Sequence, residues 1–180
     1  NGPRGPSPAA IMEGMAGLES REQPRQGGVP AARWTPTLED EEALAAMDRY
    51  GNPAETDVRL PSLPESARIA RRMTRYVVLR QWGLGPNLAE HAVLLVSELV
   101  GNAVRHTGAR VFVLRAQRRP GRIRIEVRDP SRGLPCLMPV AELDVSGRGL
   151  FLVDKLSDRW GADLGPRGKS TWFEMRVTDR

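Results

Sequence analysis

A stretch from about residue 87 to residue 108 carries two opposed stripes at helical spacing, and it constrains the fold more than any other part of the chain. Its apolar stripe would pack against a sheet and consists of Ala89, Val93, Val96, Val100 and Ala103. On the other side, Glu98 and Asn102 lie one helical turn apart, and Arg105 follows on the same face. The predicted helix is therefore half core and half candidate site.

The polar stripe has two interpretations. A glutamate and an asparagine at this spacing on an amphipathic helix are usually only its solvated face, and the stripe alone favours that interpretation. Glu98 and Asn102 indicate a functional site only if other parts of the chain supply groups that act with them. Its meaning therefore depends on the rest of the sequence.

The rest of the pattern predicts an α+β fold. Helical signals cover residues 37–50, 64–82 and 149–157, and Ser62 and Glu65, at the start of the second, have the spacing of a capping box. Strand-like segments are residues 57–60, 110–117, 122–128, 159–164 and 169–177, and Pro61 marks the first as an edge strand. We expect a two-layer sandwich in which helices cover one face of a mixed, mostly antiparallel sheet.

The first 35 residues are rich in proline and glycine and cannot bury enough apolar surface to offset the entropy of ordering. We therefore expect residues 1–55 to be a disordered arm with one short helix near 37–50, and residues 56–180 to form the folded domain. The chain starts at Asn1, and the sequence leaves open whether an upstream domain precedes it.

Charge and cysteine content narrow the class of protein. The net charge of +5 comes mainly from scattered arginines, and no helix-turn-helix or zinc-finger spacing accompanies them, so we expect no nucleic-acid partner. Cys136 is the only cysteine, which excludes an intrachain disulfide and fits a reducing, cytoplasmic location. No apolar run has the length of a membrane span, and we expect no membrane association.

Two further motifs follow the polar stripe along the sequence. Asp129-Pro130-Ser131-Arg132-Gly133 follows a predicted strand, and Gly147-Arg148-Gly149-Leu150 opens a predicted helix. Together with Glu98 and Asn102 they resemble the N, G1 and G2 boxes of the Bergerat-type ATPases, over about residues 57 to 177. Within that superfamily, the form of residues 97–107 is most similar to bacterial anti-sigma-factor serine/threonine kinases, especially actinobacterial ones.

The resemblance implies ATP and Mg²⁺ as cofactors. It makes Asn102 the magnesium ligand, and one amide oxygen suffices because Mg²⁺ takes its other ligands from phosphate and water. It makes Glu98 the general base, one turn from the metal. The other implied nucleotide-binding residues are Asp129 and Thr171 near the adenine, Arg105, Gly147, Arg148, Gly149 and Leu150 near the phosphates, and Gly133 in the G1 box. As an alternative, Asp129 could only cap its own Pro-Ser turn.

One departure from the G1 pattern keeps the function open. Ser131 stands where the first glycine of the box usually lies, and Pro130 stiffens the same turn. Our leading hypothesis is an anti-sigma-type serine/threonine kinase that acts in transcription regulation, with an antagonist protein or a sigma factor as partner and a homodimer allowed for. The alternatives are a non-catalytic partner-binding regulator on the same fold and the ATP domain of a histidine kinase.

Overall fold

A computed structural model of the chain describes residues 35–106, 108–132 and 148–177. The predicted arm up to residue 34 lies outside these residues, and so does the segment from Gly133 to Gly147. The compact unit of the fold runs from Thr35 to Arg180, and it includes the short helix that the sequence analysis groups with the arm.

Five strands form one sheet in the order β1-β2-β3-β5-β4. Their bounds are β1 Val58–Pro61, β2 Val111–Arg119, β3 Arg122–Asp129, β4 Arg159–Gly165 and β5 Gly168–Arg176. All four pairings between described strands are antiparallel, whereas the prediction allowed a mixed sheet. The α+β class is confirmed, and β1 lies at the edge as Pro61 indicates.

Within the described residues, four α-helices accompany the sheet: α1 Leu38–Tyr50, α2 Pro64–Tyr76, α3 Pro86–His106 and α4 Arg148–Leu156. Alternate residues of the strands are buried, among them Phe112, Ile125 and Phe173, because one side of the sheet forms the core with the helices. The central helix α3 contributes Leu95 and Leu99 to this core beside the predicted apolar stripe. None of the described helices is both long and apolar enough to cross a membrane.

The helix predicted over residues 64–82 is not uniform. Its last turn, Val77–Gln81, is a π-helix, which hydrophobic periodicity does not distinguish from an α-helix. The predicted capping box is wrong, because Leu63 is the N-cap residue and no side chain caps this helix. The first turn instead contains Pro64, whose missing N–H needs no partner at this position.

Helix α1 is held against α2 and the π-helix by ion pairs. Arg80 donates two hydrogen bonds to the Asp40 carboxylate, at 3.1 and 3.0 Å, and the Thr37 hydroxyl donates a third at 2.8 Å. The Arg80 hydrogen bonds lower the pKa of Asp40 from 3.8 to about 2, against the opposing effect of burial. Two more pairs, Arg72 with Glu42 and Arg75 with Glu39, follow along the same contact.

Candidate functional site

The predicted polar stripe lies on α3 as expected. Glu98 and Asn102 are half-buried, Arg105 is exposed, and their neighbours Leu99 and Ala103 are buried in the core. Neither Glu98 nor Asn102 forms a side-chain hydrogen bond or ion pair with any residue in the described ranges. A partly buried acid and amide that the fold leaves unengaged are available to a ligand.

Arg105 lies back along the helix towards Gly101. A Cβ atom added to Gly101 would lie 2.9 Å from the Arg105 Nη2 atom, so the glycine leaves room for the guanidinium against the helix surface. This places the positive charge beside Gly101, the residue next to Asn102 in the sequence.

Asp129 lies at the end of β3 on the buried side of the sheet and is 6% exposed. Its Oδ1 atom accepts a hydrogen bond from the Ser131 backbone N–H at 2.9 Å, so the aspartate does cap its own Pro-Ser turn. An ionised carboxylate has about four acceptor positions, so this bond leaves capacity for a ligand donor. Thr171 on β5 is equally buried, and it pairs in register with Val127, two residues before Asp129 on the same face.

Two neighbours of Asp129 were missed from the sequence. Lys169 pairs with Asp129 across β3 and β5, and its Nζ atom lies 3.9 Å from Asp129 Oδ2. Gly168, with φ +136°, packs so closely that an added Cβ atom would lie 2.0 Å from the Asp129 carbonyl oxygen. Both were missed because the strand register that sets Lys169 opposite Asp129 cannot be deduced from local sequence pattern.

The third motif is described only in part. Gly133 and Gly147 lie outside the described residues. Arg148, Gly149 and Leu150 form the first turn of α4, as predicted for a box that opens a helix. The first-turn N–H groups of a helix have no intrahelical partner and favour anions, which suits phosphate oxygens.

Contacts between helices and strands bring the three predicted motifs to one side of the sheet. Helix α3 contacts β3, β5 and α4, which carry Asp129, Thr171 and the Arg148–Leu150 turn respectively. No group of three or more His, Cys, Asp or Glu side chains gathers among the described residues. Mg²⁺ that arrives with a phosphate ligand needs one or two protein oxygens, and the Asn102 amide is an oxygen ligand of that kind.

A comparison with known protein families identifies the family of this chain. Residues 60–175 match the family described as the histidine kinase-like ATPase domain. The crystal structure of the RsbU and RsbW domains of Rv1364c from Mycobacterium tuberculosis is similar to this chain at TM-score 0.51 and 20% identity. That match covers 69% of this chain and 33% of the other, so the chain spans about a third of that protein's length.

A second solved structure is the histidine kinase domain from the Erythrobacter litoralis EL346 blue-light activated histidine kinase. It matches at TM-score 0.40 and 21% identity, over 79% of this chain and 76% of the other. The comparison with curated proteins found no match.

Proposed function

The chain belongs to the histidine kinase-like ATPase domain family, and from that premise we propose that it is an ATP-dependent serine/threonine protein kinase of the anti-sigma-factor type. Its substrate would be a small antagonist protein, and a sigma factor would be a second partner. The observation that carries the proposal is the Glu98 and Asn102 pair, half-buried and unengaged within the described residues. The form of residues 97–107, most similar to anti-sigma kinases, supports it.

Asn102 and Glu98 divide the chemistry between them. When bound with ATP, Mg²⁺ neutralises charge that develops on the phosphate oxygens during transfer. The Asn102 amide oxygen would hold the ion, and this choice fits a hard cation that prefers oxygen ligands. Glu98, one turn before it, would accept the proton of the attacking serine or threonine hydroxyl, which makes that oxygen the better nucleophile.

The remaining residues would bind and orient ATP. Asp129 would accept a hydrogen bond from the adenine amine with the carboxylate capacity that the Ser131 N–H leaves. The Lys169 Nζ atom, 3.9 Å from Asp129 Oδ2, places a positive charge beside that carboxylate. The start of α4 would place backbone N–H groups towards the phosphates.

A transfer assay tests the kinase. The purified chain is incubated with γ-labelled ATP and a cell lysate whose own kinases have been inactivated by an ATP-site affinity reagent. We expect label on serine or threonine of a small protein with the wild type and with Glu90→Gln, an exposed α3 residue. The label should disappear with Glu98→Gln. Equal labelling by Glu98→Gln and wild type would refute the role of Glu98 as base.

A second candidate is a regulator that binds its partner without phosphoryl transfer. The Asp129 hydrogen bond to the Ser131 N–H favours it, because a carboxylate already engaged by its own turn is a weaker adenine acceptor. Calorimetry and the transfer assay together separate the two candidates: retained partner binding with no Mg-ATP binding would select the regulator, whereas Mg-ATP binding with Glu98-dependent labelling would select the kinase.

A further inference from the structure

A cavity of about 860 Å³ lies on the face of the sheet away from α3. Its walls include Arg59, Val113 and Arg128, which alternate along their strands with buried core residues and therefore point to the opposite face. The β4–β5 turn around Pro166 closes one end. Half-buried Val111 and Val113 supply apolar surface within it.

The charges around this cavity do not balance. Its three carboxylates have partners: Asp57 pairs with Arg128 at 2.6 Å, Asp129 with Lys169 at 3.9 Å and Asp163 with Arg124 at 3.6 Å. Three further lining arginines are exposed and form no ion pair with residues of the described ranges: Arg59, Arg110 and Arg167. The cavity therefore presents an excess of positive charge around apolar surface.

This cavity is distinct from the proposed nucleotide site. Glu98 and Asn102 belong to α3, which packs on the other face of the sheet. Asp129 belongs to both regions, but its side chain lies on the buried face, and the cavity walls beside it come from strand ends and the β4–β5 turn. A ligand here would leave the α3 stripe uncovered.

Other residues on this face of the sheet favour an acidic peptide over a nucleic acid as the anionic partner. Beyond the cavity, Glu126 and Glu174 engage Arg124, and Glu174 also pairs with Arg122. A nucleic acid needs a row of available positive charges along its regularly spaced phosphates, but beyond the cavity Arg119, Arg122 and Arg124 are already held by these carboxylates. A short peptide with acidic side chains can end within the cavity, place aliphatic carbons on Val111 and Val113, and pair with the three arginines.

We propose that this cavity is a docking site for a short acidic segment of a partner protein, independent of the nucleotide. Binding at this cavity would add partner recognition on the face of the sheet away from α3 to the proposed phosphoryl transfer on the α3 side. It goes beyond phosphoryl transfer, because it needs neither ATP nor Glu98.

The test uses the full chain and two fluorescein-labelled probes, a short glutamate-serine peptide and an oligothymidylate of equal charge. The cavity variant is Arg59→Gln/Arg110→Gln/Arg167→Gln. Its matched control, Arg49→Gln/Arg68→Gln/Arg71→Gln, removes the same charge from α1 and α2. Fluorescence polarisation gives the affinity of each protein for each probe, with and without Mg-ATP.

We expect the cavity variant to bind the peptide roughly tenfold more weakly than wild type, since three exposed ion pairs of usual strength sum to about that factor. The control should change peptide affinity by less than about threefold, and Mg-ATP should not compete. Equal losses in both variants, displacement by Mg-ATP, or tighter cavity-dependent binding of the oligothymidylate would each overturn the proposal. Mg-ATP affinity of the cavity variant, measured separately by calorimetry, should equal that of wild type and reports on the nucleotide site alone.

Discussion

Gly168→Ala should weaken ATP binding through the backbone of Asp129. The added Cβ atom would lie 2.0 Å from the Asp129 carbonyl oxygen and 2.6 Å from the Pro130 Cα atom. Ordinary contacts begin near 3.4 Å, so the strand end must retreat by about 1.4 Å. Both obstacles are backbone atoms, and no rotamer change can relieve the overlap.

The size of the effect follows from what that movement disrupts. A displacement of this size would break the proposed hydrogen bond between Asp129 and the adenine amine, and bonds to charged groups contribute about 1.5–3 kcal/mol. ATP affinity should therefore fall by roughly 10- to 150-fold. Alanine at φ +136° adds about 1–3 kcal/mol of backbone strain, which a domain of usual stability survives.

The assay is calorimetric titration of Mg-ATP, accompanied by thermal unfolding of each protein. Gly165→Ala is the matched control, because it lies in the same turn and its added Cβ atom would meet only the Gly168 carbonyl oxygen at 3.7 Å. The control should bind ATP as wild type does. A folded Gly168→Ala protein with wild-type affinity would refute the reasoning, and so would an equal loss in Gly165→Ala.

Two more predictions concern stability. Because the folded pKa of Asp40, about 2, lies below its usual 3.8, its contribution is present above about pH 4 and is lost as the pH falls towards 2. Asp40→Asn should cost about 1–2 kcal/mol at neutral pH after screening at the part-exposed Arg80, and denaturant unfolding across this window should lose that pH dependence. Gly101→Ala should stabilise the protein by about 0.5–1 kcal/mol in urea unfolding, since the Arg105 guanidinium can move aside, and a loss of stability would contradict this.

Hydrophobic periodicity predicted the helices and strands, because the buried face of each element determines the spacing of its apolar residues. The alternation of Ile123, Ile125 and Val127 appears as a strand with one buried face. In the predicted apolar stripe of α3, every residue is buried except Val93, which is half-buried. Helix α1 begins at the predicted Thr37 cap because local hydrogen bonds decide that end. Its docking on α2 depends on ion pairs between residues distant in sequence, which no local pattern encodes.

The site was predictable where one element carries it. Glu98 and Asn102 share a helix face, so spacing alone placed them together. The surroundings of Asp129 depend instead on the register between β3 and β5, which sets Lys169 opposite it and brings Gly168 against its backbone. Register arises from pairing between strands that are distant in the sequence, so local pattern does not reveal it. The excess positive charge on the face of the sheet away from α3 likewise comes from strands that are far apart in the sequence.

The most direct test of the central claim is a calorimetric titration of Mg-ATP into wild type, Asn102→Ala and Asn87→Ala. Asn87 lies on the same helix about 22 Å before Asn102, so it controls for the loss of an amide from α3. We predict magnesium-dependent ATP binding by wild type and Asn87→Ala, and loss of the magnesium dependence in Asn102→Ala. Magnesium-dependent binding of equal strength in all three proteins would contradict the assignment of the α3 stripe as the nucleotide site.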